Sequence, residues 1–485
     1  MDKRLRVPGT SPAAGPPAPR RPLRWLRRVL ATALAGGVVA GAVLTLLPGE
    51  RRHGAAAPPA AGPRAQAPAA VTFGVPAALP RLTALIGEQE RRVRVRPRDA
   101  RAWAVLGSAY VERGRAAADA ADYPRAERAL RTSLEVRGSG NAEALDGMAA
   151  LALARRDFPV AKRYAEQALK PAPGRWAAYG PLIDAYNGLG DYEAARKTLD
   201  KLMELRTDGA ARPAVKARAS AVYRDRGWRE DAVAQLTDAA AAAGTPVEQA
   251  AYLTGLGQLA WERGDLPDAL RHFEAAVRLD AGRRAALAGR GRALAALGRT
   301  QEALTSYRAA VAGRARAQDV LELGELYESL GRTDSAEAQY DRLRTLVREA
   351  VAGGVDEELL IGQFEADHGD AREAVERLRQ EWRRQPGIEV ADALGWALYR
   401  AGEDAEALTY ASVATDKAKG GGVRSALYAF HRGVIEGELE LTGPARRHLE
   451  EALRINPYFS PLWVPAARSA LRELGDVPDE PLPER

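Results

Sequence analysis

Tyr252–Asp280, YLTGLGQLAWERGDLPDALRHFEAAVRLD, reads as two short helices joined by a tight turn. Leu253, Leu256, Gly257 and Ala260 recur at spacings of three, one and three, which places them on one helical stripe. Gly264 and Asp265 then interrupt the pattern. Glycine tolerates the left-handed backbone that ends a helix, and aspartate caps the next one. Ala269, Phe273, Ala276 and Val277 form the second stripe. Neither helix buries its stripe alone, so each hairpin needs a neighbour on both sides. That requirement is met by stacking hairpins into a solenoid.

The pattern repeats along most of the chain. Trp103, Leu106, Gly107 and Tyr110 precede Ala126, Leu130 and Ser133, and Leu145, Met148 and Ala149 precede Ala161, Ala165 and Ala168. Later units carry Tyr179, Leu182 and Tyr186 with Ala195 and Leu199, Gly291 and Leu294 with Ala303 and Tyr307, and Leu323, Gly324 and Tyr327 with Ala336 and Tyr340. The turn glycines Gly190, Gly227, Gly264, Gly298, Gly331, Gly369 and Gly402 lie 37, 37, 34, 33, 38 and 33 residues apart. Seven turns in step make the repeat secure.

These motifs resemble the tetratricopeptide repeat, a unit of 34 residues with large and small residues alternating at fixed places on two helices. The resemblance implies an all-α fold, a right-handed α-solenoid of about ten hairpins over residues 78–475. LPRLTALIGEQERRV, from Leu79, is expected to cap the first hairpin, and Pro461–Leu474 the last. Residues 115–121 are an insertion, and Glu365 stands where the family has Tyr.

The resemblance also implies a non-enzymatic scaffold that holds a peptide or protein segment in a concave groove lined by the first helix of each unit. Exposed positions on those helices include Asp184 with Asn187, Gln258 with Trp261, Glu325 with Glu328, and Trp396 with Tyr399. Asn187, Gln258, Trp261, Glu325, Trp396 and Tyr399 are the expected partner-contacting residues, the aromatics foremost because large rings dominate interface energetics. The family's clamp for a C-terminal carboxylate uses Lys, Arg and Asn; Ala104, Ser108 and Asp184 occupy the corresponding places, so that activity is not implied.

Charge divides the chain unevenly. The net charge is +7 over 485 residues, but residues 1–52 hold ten basic and two acidic side chains, which leaves the remainder at −1. The repeats therefore lack the basic surface that nucleic-acid binding requires, and no nucleic-acid partner is expected. Residues 1–28 form a basic tail read as disordered and cytoplasmic, and residues 29–47 are uncharged up to Pro48. As a helix those nineteen residues would be about 28 Å long, enough to cross a bilayer core. Positive charge before the span predicts a signal anchor with the N-terminus inside and the repeats outside the cytoplasmic membrane. A cleaved signal ending near Ala55–Ala57, and hence a secreted form, is the alternative. Residues 48–77 are a Pro/Ala linker and 476–485 a flexible tail.

The sequence holds no cysteine, so disulfides, thiolate metal sites, cysteine nucleophiles and a lipid-modified cysteine are excluded. Five histidines, His53, His272, His368, His431 and His448, show no metal-ligand spacing, and neither a phosphate-binding loop nor a nucleophile elbow occurs. His431 and His448 are expected on helix surfaces. Gly289-Arg290-Gly291-Arg292 invites a nucleotide reading, but no strand precedes it and Gly291 fills a packing slot. No catalytic residue, cofactor or metal is expected. An accessory subunit or enzyme with a site between helices is the alternative class.

Overall fold

The computed structural model describes residues 71, 74–207, 209–416 and 422–475, all of them helix, turn or loop with no strand. The expected anchor at 29–47, most of the linker and the C-terminal tail lie outside the described residues. Among the described residues, no helix is long and apolar enough to cross a membrane.

Helix α1 (Leu79–Val95) buries Leu82, Leu85, Ile86 and Val93 against the first hairpin, as a cap should. Ten hairpins follow. They are α2 (Ala100–Ala117) with α3 (Tyr123–Val136), α4 (Ala142–Ala154) with α5 (Phe158–Leu169), and α6 (Trp176–Gly188) with α7 (Tyr192–Glu204). Next come α8 (Arg212–Asp225) with α9 (Arg229–Ala241), α10 (Pro246–Glu262) with α11 (Leu266–Leu279), and α12 (Arg284–Ala296) with α13 (Thr300–Ala310). The last four are α14 (Ala317–Ser329) with α15 (Thr333–Ala352), α16 (Glu358–His368) with α17 (Ala371–Arg384), α18 (Ile388–Ala401) with α19 (Asp404–Thr415), and α20 (Ala426–Glu438) with α21 (Thr442–Ile455). Helix α22 (Trp463–Glu473) closes the stack and buries Trp463, Val464, Ala466 and Ala467.

The small residues of the first helices let the large residues of the second helices dock. A Cβ on Gly257 would lie 2.7 Å from the Phe273 ring, and one on Gly289 in the next hairpin would lie 2.3 Å from it. Phe273 therefore fills the joint between two hairpins. Leu130 sits the same way between Gly107 and Gly147, at 2.5 and 2.4 Å. Gly291 faces Tyr307 at 2.6 Å, so both glycines of the Gly-Arg-Gly-Arg stretch serve packing. First helices of most successive hairpins touch, as α10 does α12 and α18 does α20, so first helices line the inner face. Asp99, Asp157, Asp191 and Asp265 accept hydrogen bonds from backbone N–H groups three residues on, each cap contributing about 1 kcal/mol.

Six of the seven turn glycines have φ between 71° and 95°, where a Cβ is strained. Gly369 is the exception, with φ −140°, in the charged unit where Glu365 pairs with Arg377 instead. Three turns adopt the left-handed conformation without glycine: Ala118 (φ 53°), Arg156 (φ 58°) and Glu440 (φ 59°). Glu440 is exposed, so Glu440→Gly should raise stability by about 0.5–1 kcal/mol, readable as a higher midpoint in urea. A lower midpoint would contradict this.

The solenoid also touches itself. The turn inside each of the first five hairpins meets the loop that follows the hairpin five places later, and the turn of the second hairpin also reaches the loop after the eighth. Asp119 pairs with Arg314; the Asp356 N–H donates to the Arg155 carbonyl at 2.9 Å; and Gln385 Nε2 donates to the Arg156 carbonyl at 3.0 Å. The Ile388 N–H donates to the Tyr192 hydroxyl at 3.2 Å, Arg229 donates to the Arg424 carbonyl at 2.6 Å, and Asn456 Nδ2 donates to the Trp261 carbonyl at 2.8 Å. Five hairpins thus make one superhelical turn, and the second turn rests on the edge of the first. The insertion at 115–121, a longer α2 and a 3-10 turn at Ala120–Asp122, belongs to this seam: Arg284 donates to the Ala117 carbonyl at 3.3 Å.

Candidate functional site: the interior of the superhelix

Because the turns touch, the concave face is an enclosed interior rather than a groove open along its side. It contains two adjoining cavities of about 910 and 720 Å³ that share Gln258, Trp261, Gln318, Gln363, Leu427 and Phe459. Both are of the size that holds a drug-sized molecule or several side chains.

The larger cavity lies where α14 and α16 stand apart. These helices lack the close backbone approach that joins α16 to α18. Rings fill the gap instead: Tyr340 lies 5.3 Å from Phe364 and 4.6 Å from His368. On the next helix, Trp396 stacks on His431 at 4.2 Å with a 16° interplanar angle, and Trp463 meets it edge-on at 5.4 Å. Trp396 Nε1 donates to Asp367 at 2.8 Å, and both Asp392 oxygens lie 3.0 Å from His431 Nδ1.

The basic groups around this space are largely engaged. Arg292 binds Glu322 through Nη2 at 2.8 and 2.9 Å, donates to Gln258 Oε1 at 2.8 Å, and lies 5.6 Å from the Trp261 ring. Arg316 pairs with the fully buried Asp319, and Arg400 comes within 3.9 Å of Asp367. Burial pushes the Asp367 carboxyl up, while the Trp396 N–H and the Arg400 charge pull it down less strongly. Burial, reinforced by the charges of Asp367, Glu322 and Glu328, pushes the Glu325 carboxyl up to about 8. In the smaller cavity Arg224 clasps Glu262 at 2.8 Å, and burial raises Asp225 to about 6.

The structure gathers most of the residues singled out from sequence. Gln258 and Trp261 line both cavities, Glu325 and Trp396 the larger, and Asp184 and Asn187 the smaller. Asn187 Oδ1 is buried there without a hydrogen-bond partner among the described residues. Tyr399 departs from the expectation of a groove-facing ring. It is 1% exposed, packed 5.1 Å behind Trp396 and absent from the lining, because it falls on the side of α18 that meets the core. His431 also departs from the surface position expected of it: it is buried against Trp396 and Asp392. His448 contacts Glu436 at 2.5 Å from a half-buried position.

Asp392, Asp367 and His368 were not singled out from sequence. A signal existed in the spacing: Asp392 precedes Trp396 by one helical turn, and His431 follows it by about one repeat, which superposes their slots. Among the described residues no group of three or more His, Cys, Asp or Glu is placed to hold a metal ion.

Fold and interior together define an α-solenoid of helical hairpins that encloses a ligand-sized space. Tetratricopeptide repeat models match residues 152–221, 217–282, 254–320 and 289–351. The chain is a tetratricopeptide-repeat protein, and its repeats have the architecture of a protein-interaction scaffold, typically a non-catalytic one. Among solved structures it is similar to the human IFIT1 dimer with PPP-AAAA, at 17% identity over 66% of this chain and 73% of that one, TM-score 0.43. It is also similar to PilF of Pseudomonas aeruginosa, at 19% identity over 44% and 95%, TM-score 0.35. A tetratricopeptide repeat protein of Parabacteroides merdae is 18% identical over 54% and 99%, TM-score 0.33. No curated protein matches the sequence.

Proposed function

We propose that the protein is a non-enzymatic scaffold that holds a peptide or protein segment inside its superhelix. The observation that carries this reading is the pair of adjoining cavities, lined by first helices and furnished with Trp261, Trp396 and Gln258. Large aromatics beside hydrogen-bonding amides suit a peptide, whose backbone and side chains use both. Since the seam closes the side of the coil, the segment threads in from an end.

A photo-cross-linking residue at Gln258 inside should capture a protein partner, and one at the exposed Arg271 should not. Gln363→Trp, which fills the space shared by the two cavities, should reduce that capture at least tenfold, roughly the effect of losing one interface hot spot. Equal capture from both positions, unaffected by Gln363→Trp, would overturn the interior assignment.

The proposal extends to location: the uncharged run at 29–47 holds the repeats at the outer side of the cytoplasmic membrane, with a secreted form as the alternative. N-terminal sequencing of the native protein and its partition between membrane and soluble fractions test this. A soluble protein with its N-terminus intact would sink both forms.

A further inference from the structure

We propose that the larger cavity is a seat for a positively charged amine or guanidine, held by the Glu325 and Asp367 carboxylates. This rests on the scaffold reading and names what the interior recognises: a basic side chain on the captured segment.

Four observations converge on it. Glu325 lines the cavity half-buried on α14, and among the described residues no donor lies within hydrogen-bonding distance of it. Of the three arginines that line the cavity, Arg292 is committed to Glu322 and Arg316 to Asp319, while Arg468 lies exposed on the cap helix α22. Asp367, on α16, faces the same space with one oxygen taken by Trp396.

The fourth observation is His368. Its side chain is 10% exposed, it lines the same cavity, and its Nε2 has no partner among the described residues. Burial holds His368 below its ordinary value, so the ring is neutral. The Glu328 carboxylate sits 3.5 Å from Nδ1, and its charge favours a proton on that nitrogen. Nε2 is then a bare acceptor. A half-buried carboxylate without a donor and a buried ring nitrogen without a partner together call for a donor that carries charge. A phosphate or nucleic acid would meet these carboxylates as like charges.

Recognition should be linked to protons. The groups facing Glu325 are Glu322 and Glu328 on its own helix, Arg292 on α12, and Asp367 and His368 on α16. Their balance, with burial, leaves Glu325 largely protonated at neutral pH without ligand. A cation stabilises the carboxylate and so displaces its proton. Binding therefore strengthens as pH rises towards about 8 and then levels off. His368 stays neutral across that window, and an alkylamine stays charged because its pKa is near that of lysine, about 10.4.

The test titrates the full-length protein with butylammonium and agmatine, and with 1-pentanol as the uncharged match, following tryptophan fluorescence and proton release. Both cations should bind at least tenfold more tightly than the alcohol, release protons, and bind at least tenfold more tightly at pH 8.5 than at 6.5. Glu325→Gln keeps the shape, and should abolish proton release and the pH dependence while weakening binding about tenfold. The same variant should melt higher than wild type at pH 8.5 and equally near pH 4, since a carboxyl raised in the folded state destabilises only above its unfolded value, about 4.3 for glutamate. Spermidine affinity similar to that of butylammonium marks a single basic side chain as the natural occupant; affinity a hundredfold greater marks a free polyamine. Equal binding of alcohol and amine, or unchanged proton release in Glu325→Gln, overturns the seat. Should that happen while Gln258 still captures a partner, the scaffold reading survives; loss of both removes both.

Discussion

Replacing Phe273 by alanine should lower the unfolding free energy by about 3–5 kcal/mol, the range for deleting a buried aromatic. The ring is 1% exposed and presses on Gly257 in its own hairpin and Gly289 in the next. Neither glycine has a side chain that could fill the void. Because stability in a repeat stack is a sum of unit and neighbour-interface contributions, the loss falls on one interface. Unfolding should therefore split into two phases around the joint of α11 and α12, visible as non-coincident urea transitions of helix content and tryptophan fluorescence. The converse change, Gly289→Ala, drives a Cβ into the ring and should cost about 1–3 kcal/mol. A single sharp transition shifted by less than 1 kcal/mol in Phe273→Ala would show that this joint is not a unit of cohesion.

The second large effect concerns the seam. A side chain on Gly190 would place Cβ 2.4 Å from the Pro386 carbonyl oxygen, and one on Gly227 would sit 2.4 Å from that of Gly422. Backbone cannot yield locally, so valine at both positions should force the second superhelical turn off the first. Valine is also strained at positive φ, at about 1–3 kcal/mol per site, so a control is needed. Gly298 supplies it: φ is 75°, yet nothing lies within 4 Å, because its hairpin is the sixth and no later turn covers it. Amide exchange of the Asp356 and Ile388 N–H groups, which bond across the seam, should accelerate roughly a hundredfold in Gly190→Val/Gly227→Val. Gly298→Val should leave them protected. Equal exchange in the two variants would mean that the contacts do not hold the turns together.

What could be read from sequence follows from how each feature is encoded. Hairpin boundaries are written in short-range signals: the Gly264–Asp265 punctuation, the Leu256–Gly257–Ala260 stripe, and the docking of Phe273 and Tyr307 onto glycines. The inner position of Gln258, Trp261, Glu325 and Trp396 follows from the same periodicity, since one helical face must look inward. Tyr399 shows the limit: three residues from Trp396, it shares the side of the helix but falls past its edge, into the core. The pairing of His431 with Asp392 spans a whole repeat, and is invisible to a search within one helix. Least legible was the seam. Its contacts join residues about 195 apart and run largely to backbone carbonyls, which no residue type announces.

The five-place offset between facing loops makes repeat number a discrete property of this coil. An open stack lengthens or shortens by one unit and changes only its end. Here, one hairpin inserted between α7 and α8 would leave Tyr192 opposite a stranger, and would displace the upper partner of every hairpin before it by a full place. Such a protein drifts in sequence within its hairpins but resists gaining or losing one, much as a spring wound on a threaded rod cannot skip a single groove.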